Sequence, residues 1–342
     1  MKFAALRHPD CRFYLFGTML SMMADNVEHV ITYWVLFQKF HSPALAGFAV
    51  ISHWVPSLVL SVYFGGLADR KDCRKVIQAA QVMYMGVSAA WGIFANVLIY
   101  LPLTVWLMRV PYTGHLRDAT ATSRKPMSFA DAFQTLREVR DNPVLISMVA
   151  LGGLSSLFIG AALGPQMPEF ASGLGINEAG LVYGALLAAN AAGAVFGGLV
   201  LEGTGILRPS ARTAMISTII YSLCIVAFAL SGSYPLSLAL LVVAGVSNLA
   251  SQSIAQTLVQ LLAPPEKRGR VVGVYNMSSG GLRAGSGFTV GLAGAFIGVH
   301  WSLALSAFSL CIVAVALLLY TARAAARLAS TAAAPAPLRS AS

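Results

Sequence analysis

The stretch FYLFGTMLSMMADNVEHVITYWVLF, Phe13–Phe37, runs for 25 residues with only two acids, Asp25 and Glu28, one histidine, His29, and no lysine or arginine. About 20 apolar residues in a helix cross the roughly 30 Å of hydrocarbon in a bilayer. The stretch is too long for the apolar core of a cleaved signal, and no small-residue cleavage site follows it. It therefore predicts a membrane helix. Working outward, further apolar runs cover 44–67, 76–109, 143–163, 179–201, 213–231, 235–262, 271–297 and 301–321. Of the 342 residues 57% are hydrophobic and 11% are charged, about half the charge of a soluble domain. A soluble enzyme and a single-anchor protein are both excluded. The expected fold is an all-α, polytopic membrane bundle.

The net charge of +10 would suggest nucleic acid in a soluble chain. Here the basic residues fall in short clusters between apolar runs, so no nucleic-acid partner is expected and the charge reads as topology. Clusters occur at Lys2/Arg7/Arg12, Arg70/Lys71/Arg74/Lys75, Arg117/Arg124/Lys125/Arg137/Arg140, Arg208/Arg212, Lys267/Arg268/Arg270 and Arg323/Arg327. Lys39 alone sits in a loop of the other parity. Positive-inside places both termini and the central polar segment in the cytoplasm. That arrangement survives only if 76–109 crosses twice. Its 34 residues then allow about 17 per crossing, the lower limit for a helix, with Gly92 and Asn96 as turn residues. Ten crossings result. A single kinked helix at Pro102 is the alternative and gives nine.

The segment between 109 and 143 contains Ser128-Phe129-Ala130-Asp131, which resembles a capping box. Phe129, Phe133, Leu136 and Val139 follow at helical spacing, opposite Arg137, Glu138 and Arg140. This predicts an amphipathic helix at the membrane surface, or equally a charged linker helix joining two halves. The tail 323–342, rich in Ala, Pro, Ser and Arg, is expected to be disordered and cytoplasmic. Four scattered cysteines (Cys11, Cys73, Cys224, Cys311) read as free thiols. There is no P-loop, zinc spacing or serine elbow, so neither an enzyme nor a metal or other cofactor is expected.

The loop after the second run reads Gly65-Gly66-Leu67-Ala68-Asp69-Arg70-Lys71-Asp72-Cys73-Arg74-Lys75. It resembles the cytoplasmic loop motif of the major facilitator superfamily, G-x-x-x-D-[RK]-x-G-[RK]-R-[RK]. Gly65, Asp69, Arg70, Arg74 and Lys75 match, while Asp72 replaces the turn glycine and Cys73 a basic residue. Gly198 and Glu202 repeat the Gly65–Asp69 spacing in the second half, as expected of related halves. Thr257, Gln260, Pro264, Pro265, Arg268, Gly269, Arg270, Val271 and Gly273 form T-x-x-Q-x-x-x-P-P-x-x-R-G-R-V-x-G. That pattern is similar to a late cytoplasmic loop of the exporter branch holding enterobactin exporters, macrolide efflux proteins and lysophospholipid transporters. The resemblance covers 10–110 loosely and 129–320 well. It implies a two-half bundle embedded in the plasma membrane (the bacterial inner membrane) that exports a small amphipathic molecule, drug- or siderophore-like, in exchange for protons. It also implies that Gly65, Asp69, Arg70, Arg74, Lys75, Glu202, Arg268 and Arg270 form a cytoplasmic gate.

Charges within spans carry the site reading, because each costs roughly 2.5 kcal/mol or more on insertion scales. Asp25, Glu28 and His29 share one helical face, and in the superfamily this helix lines the central cavity. They are candidates for protonation or substrate contact, with proton affinity switching as hydration changes; alternatively Asp25 only hydrogen-bonds a neighbouring helix. Arg283, deep in its span, reads as a countercharge, an anion contact or a packing residue. His53 reads as a lone, satisfied histidine; Trp34, Trp54 and Trp106 read as packing or interfacial residues. The glycines from 280 to 298 and Gly193-x-x-x-Gly197 read as close helix packing, along seams that in transporters also slide.

The expected domains are an N-terminal half (1–110), a linker (111–141), a six-span C-terminal half (142–322) and the tail. Residues 142–322 spend 181 residues on six spans, whereas 10–110 holds 101, which is 80 fewer. By the resemblance, the fourth and fifth helices are missing and the join falls near Ala90/Trp91. The alternative reading is therefore a shortened, non-transporting remnant or a membrane interaction partner.

Overall fold

A computed structural model describes residues 8–55, 75, 77–82, 103–106, 108–109, 129–174, 179–204, 209–265 and 267–333. Every regular element among them is helical. Helix α1 spans Pro9–Phe40, and at 1.5 Å per residue its 32 residues reach about 48 Å. His41 ends it in the left-handed conformation (φ 46°) with its N–H on the Phe37 carbonyl. The chain reverses at once into α2, Pro43–Val55, started by a proline where the first-turn N–H would lack a partner anyway.

Helix α3 (Phe129–Glu138) leads to the C-terminal half. This half comprises α4 (Pro143–Phe158), α5 (Leu163–Gly173), α6 (Ala179–Thr204), α7 (Ala211–Ala229), α8 (Tyr234–Leu262), α9 and α10 (Val299–Ala333). Asn142 caps α4 by accepting from the Leu145 N–H at 3.1 Å. Helix α9 runs from Arg268 to Ile297 in pieces: α-helical Arg268–Asn276, π-helical Met277–Gly281, a turn at Arg283–Ser286, π-helical Gly287–Leu292 and a last turn at Ala293–Ile297. Among the described residues four helices (α6, α7, α8, α10) are long and apolar enough to cross a membrane, five if α4 and α5, bent by 45°, form one span.

The α4–α5 bend is a break that one apolar run (143–163) did not reveal. Gly160 takes a positive φ of 41°, and carbonyls at the end of α4 lose their helical partners. Hydroxyls from other helices supply replacements: Thr289 donates to the Leu157 carbonyl (3.0 Å) and Ser306 to that of Phe158 (2.6 Å). In the same way Ser156 donates to the Ser279 carbonyl in the first π segment (2.5 Å). In hydrocarbon an unsatisfied carbonyl costs several kcal/mol, so such breaks persist only where neighbours satisfy them.

Two apolar clusters lie at opposite ends of the C-terminal half. One joins Ile159, Met167, Phe170, Leu186, Phe228, Leu241 and Leu303, and Val30 and Trp34 of α1 pack against it. The other joins Met148, Leu151, Met215, Leu258, Val271 and Tyr275, with Val139 of the linker. The second end is also where the basic residues of α3, α7, α9 and α10 collect, because α7 and α9 begin there and α8 and α10 run toward it. Between the ends, α6 and α8 meet on glycine: a Cβ on Gly193 would strike the Val242 carbonyl, and one on Gly245 the Asn190 carbonyl. The large side chains facing outward, among them Phe196, Leu199, Leu261, Phe308 and Ile312, form the apolar exterior expected in lipid.

One face of α3 is covered where it docks on the start of α9, burying Thr135 and, just past the helix end, Val139, while Phe133 on the apolar stripe is 73% exposed. One sequence expectation changes: the tail is not disordered from residue 323, since α10 continues to Ala333, its run of alanines and arginines having the strongest helix propensity. Residues 334–342 lie outside the described residues, as does Ser128 of the expected capping box.

Lys267 Nζ donates to Glu138 Oε2 at 2.8 Å, and Gln134 Nε2 to Oε1 at 3.0 Å. The Lys267 hydrogen bond chiefly holds the Glu138 carboxyl below the usual carboxylate range. A depressed carboxylate contributes to docking at pH above its ordinary value of about 4 and loses that contribution as pH falls through the lowered one. A spin label at Phe133→Cys, on a background without the native cysteines, should gain mobility on acidification or with Lys267→Ala. Equal mobility in all cases would show that the pair does not hold the helix.

Candidate functional site

The site runs from α1 through α2 to α9, which α2 meets. Asp25 and His29 are one helical turn apart on α1, and His29 Nδ1 reaches the Asp25 carbonyl at 2.7 Å and its carboxylate Oδ1 at 3.7 Å. A neutral His29 donates from Nδ1 to that carbonyl, and its Nε2 then carries the lone pair. Facing it at 3.4 Å is Nδ1 of His53 on α2, the two rings edge to face at 4.6 Å. His53 stacks edgewise on Trp54 (5.1 Å). The guanidinium of Arg283 lies over the Trp54 ring, 4.7 Å from its centroid. A line of polar and aromatic groups thus runs from Asp25 through His29, His53 and Trp54 to Arg283, crossing from the N-terminal helices to α9. Tyr221 of α7 and Tyr275 of α9 lie within electrostatic reach of Arg283. Glu28, half-buried on α1, lies one turn below the same face.

Close approach of the two halves makes this line possible. A Cβ on Gly47 would lie 2.7 Å from both the Gly287 carbonyl and Gly291 Cα, and one on Gly287 would meet Ile51 Cγ1 at 2.6 Å. Backbone therefore meets backbone at the α2–α9 crossing. Nearby, Tyr183 donates to the Val30 carbonyl at 3.0 Å, Trp34 stacks on Tyr183 at 5.4 Å, and Gln166 Nε2 donates to the Pro43 carbonyl at 3.1 Å. All these contacts sit at the end where α1 turns into α2.

The structure brings Asp25 and His29 together and sets Arg283 apart from them: among the described residues no carboxylate lies within 4.0 Å of its guanidinium. Among the described residues Arg283 meets the Trp54 ring and no acid. His53 and Trp54, read from sequence as a solitary histidine and a packing residue, are the links between the two groups. The only signal was an adjacent histidine and tryptophan inside an apolar run. Of the expected gate, Gly65, Asp69, Arg70 and Arg74 lie outside the described residues. Lys75 is helical and exposed, Glu202 lies in the last turn of α6, and Arg268 and Arg270 are exposed where α9 begins. Cys11, Cys224 and Cys311 are free, and Cys73 lies outside the described residues. Among the described residues no group of three or more metal-ligating side chains occurs.

The sequence profile described as Major Facilitator Superfamily matches residues 80–284, which is more than half of the chain. The chain belongs to the major facilitator superfamily. It is accordingly a multi-pass membrane transporter of the secondary type, with a small-molecule substrate. This superfamily member is also similar to solved structures of a bacterial homolog of the human lysosomal transporter Spinster. The inward-facing, occupied form aligns with 14% identity, a TM-score of 0.45, and coverage of 93% of this chain and 88% of that one. The inward-facing, unoccupied form aligns with 14% identity, a TM-score of 0.44, and coverage of 91% and 87%. A search of curated proteins finds no match.

Proposed function

We propose that this superfamily member is a proton-coupled exporter of a small amphipathic molecule, drug- or siderophore-like, working by alternating access in the bacterial plasma membrane. The observation that carries the reading is the line from Asp25 to Arg283 across the α1/α2–α9 crossing. Ionisable groups inside a membrane protein are retained for pathways and coupling, because their burial is costly. Asp25 and Glu28 are the proton carriers, and His29 and His53 relay between them and the substrate space.

The charge pattern supports cytoplasmic termini. Arg137, Arg140, Arg212, Lys267, Arg268, Arg270, Arg323 and Arg327 belong to the linker end of the bundle, toward which the N-terminus of α1 also points, and Lys39 belongs to the other. Leu103 lies against Gly17 and Trp106 against Tyr14 (6.0 Å). That puts the close of the 76–109 stretch beside the first turns of α1, the side required if the stretch crosses twice. With this orientation the glycine seam closes the outer face, and rocking of the halves about the site opens it. The expected cytoplasmic gate, from Gly65 to Arg270, would close the opposite face.

Reconstitution tests the reading. Purified full-length protein in liposomes should move a fluorescent amphipathic substrate against its gradient when a pH gradient is imposed. No such movement with any of a panel of drug- and siderophore-like molecules would favour the alternative of a shortened, non-transporting member.

A further inference from the structure

We infer that Arg283, on the side of α9 that faces Trp54 of α2, takes a small organic anion, a carboxylate or phosphate borne on an aromatic or apolar body, as its charge partner. This rests on the transporter reading above and deepens it by naming the substrate class.

Four observations converge. First, Arg283 is always charged and lies midway along α9, inside the apolar run 271–297 that the sequence reads as a span, where a lone cation is retained for a role. Second, among the described residues its five N–H donors meet no acceptor and no carboxylate. The tryptophan face answers only part of the charge. The acid at the far end of the line, Asp25, is separated from it by His29, His53 and Trp54. Third, Arg283 heads the short turn between two π-helical segments, Met277–Gly281 and Gly287–Leu292. Such interruptions gather at functional sites because they redirect side chains and free backbone groups. Fourth, an aromatic cluster adjoins it: the guanidinium lies over Trp54, and His53 is exposed beside Trp54.

A planar guanidinium pairs with a carboxylate or phosphate through two parallel hydrogen bonds, and the exposed His53 ring beside Trp54 offers stacking surface to the rest of the molecule. A neutral or cationic substrate would leave the guanidinium uncompensated. An anion compensates it and bridges α2 to α9, so its arrival and departure act directly on the crossing where the halves meet.

Binding to the purified full-length protein in a non-ionic detergent tests this. The probes are two matched pairs: 2-naphthoate with 2-naphthamide, and 1-naphthyl phosphate with 1-naphthol. Calorimetry should show the anion of at least one pair binding about 10- to 100-fold tighter than its neutral partner, the range expected for charge-assisted hydrogen bonds. Arg283→Gln should remove that preference. Arg283→Lys, which keeps the charge and loses the planar fork, should retain part of it and guards against a merely misfolded variant. Equal binding within both pairs, no binding by any probe, or a preference that survives Arg283→Gln overturns the inference. Because no gradient is involved, the result separates from the transport reading. Anion preference without gradient-driven movement leaves this site standing and rejects the exporter; export without anion preference rejects this site alone.

Discussion

Asp25→Asn together with Glu28→Gln is expected to reduce pH-gradient-driven efflux from vesicles to the leak of protein-free liposomes. Both replacements keep the size of the side chain and its capacity for hydrogen bonds, and remove only the ability to take up and release a proton. His29 still has the Asp25 carbonyl as its Nδ1 partner, at 2.7 Å, so the His29–His53 contact should survive. Folding should be nearly unchanged, because neutralising an intramembrane acid relieves a cost of roughly 2.5 kcal/mol or more. Exchange of substrate down its own gradient should persist, since rocking of the halves needs no titration. Efflux that still follows the pH gradient in the double variant would strip both acids of the role assigned to them. Loss of exchange as well would point to a role in shape or binding rather than in coupling.

Gly291→Leu is expected to abolish transport by a different route. Its Cβ would strike Gly47 Cα and lie 3.4 Å from Gln166 Nε2, where backbone faces backbone and no flexible side chain can yield. Overpacking costs about 1–3 kcal/mol, and each 1.4 kcal/mol is tenfold in a population. The conformation with this seam closed would thus fall about 5- to 150-fold relative to the open one. Reaction of Ser42→Cys, at the start of α2, with a membrane-impermeant thiol reagent should accelerate correspondingly. Gly193→Leu supplies the contrast. It overfills the α6–α8 contact within one half, so it should lower the melting temperature and leave the labelling rate of Ser42→Cys unaltered. Unchanged transport and unchanged labelling in Gly291→Leu would show that the seam does not separate during the cycle.

Much of the bundle is legible from hydrophobic length alone. The expected spans at 213–231 and 235–262 fall within two residues of α7 and α8, since a helix in lipid must satisfy its own backbone for as long as the apolar run lasts. Asp25 and His29 are legible as a pair because they lie one turn apart on one helix. The α4–α5 break is not. An apolar run reads as one helix, and the break survives only through Thr289 and Ser306, more than 130 residues away. The buried edge of α3 is hidden for a related reason: amphipathic spacing shows which face is apolar, and docking on α9 chose Thr135 and Val139 over Phe133.

By itself, the sequence determined that this chain crosses a membrane repeatedly, which end of its bundle is basic, and that α1 carries acids it has a reason to keep. Those properties follow from transfer free energies that each segment meets independently of the others. Only the tertiary structure decided that His53 answers His29, that Arg283 rests on Trp54 instead of pairing with Asp25, and that Gly47 meets Gly287 and Gly291. These are contacts between helices distant in the chain, set by where they cross, and periodicity within one helix carries no information about its partner.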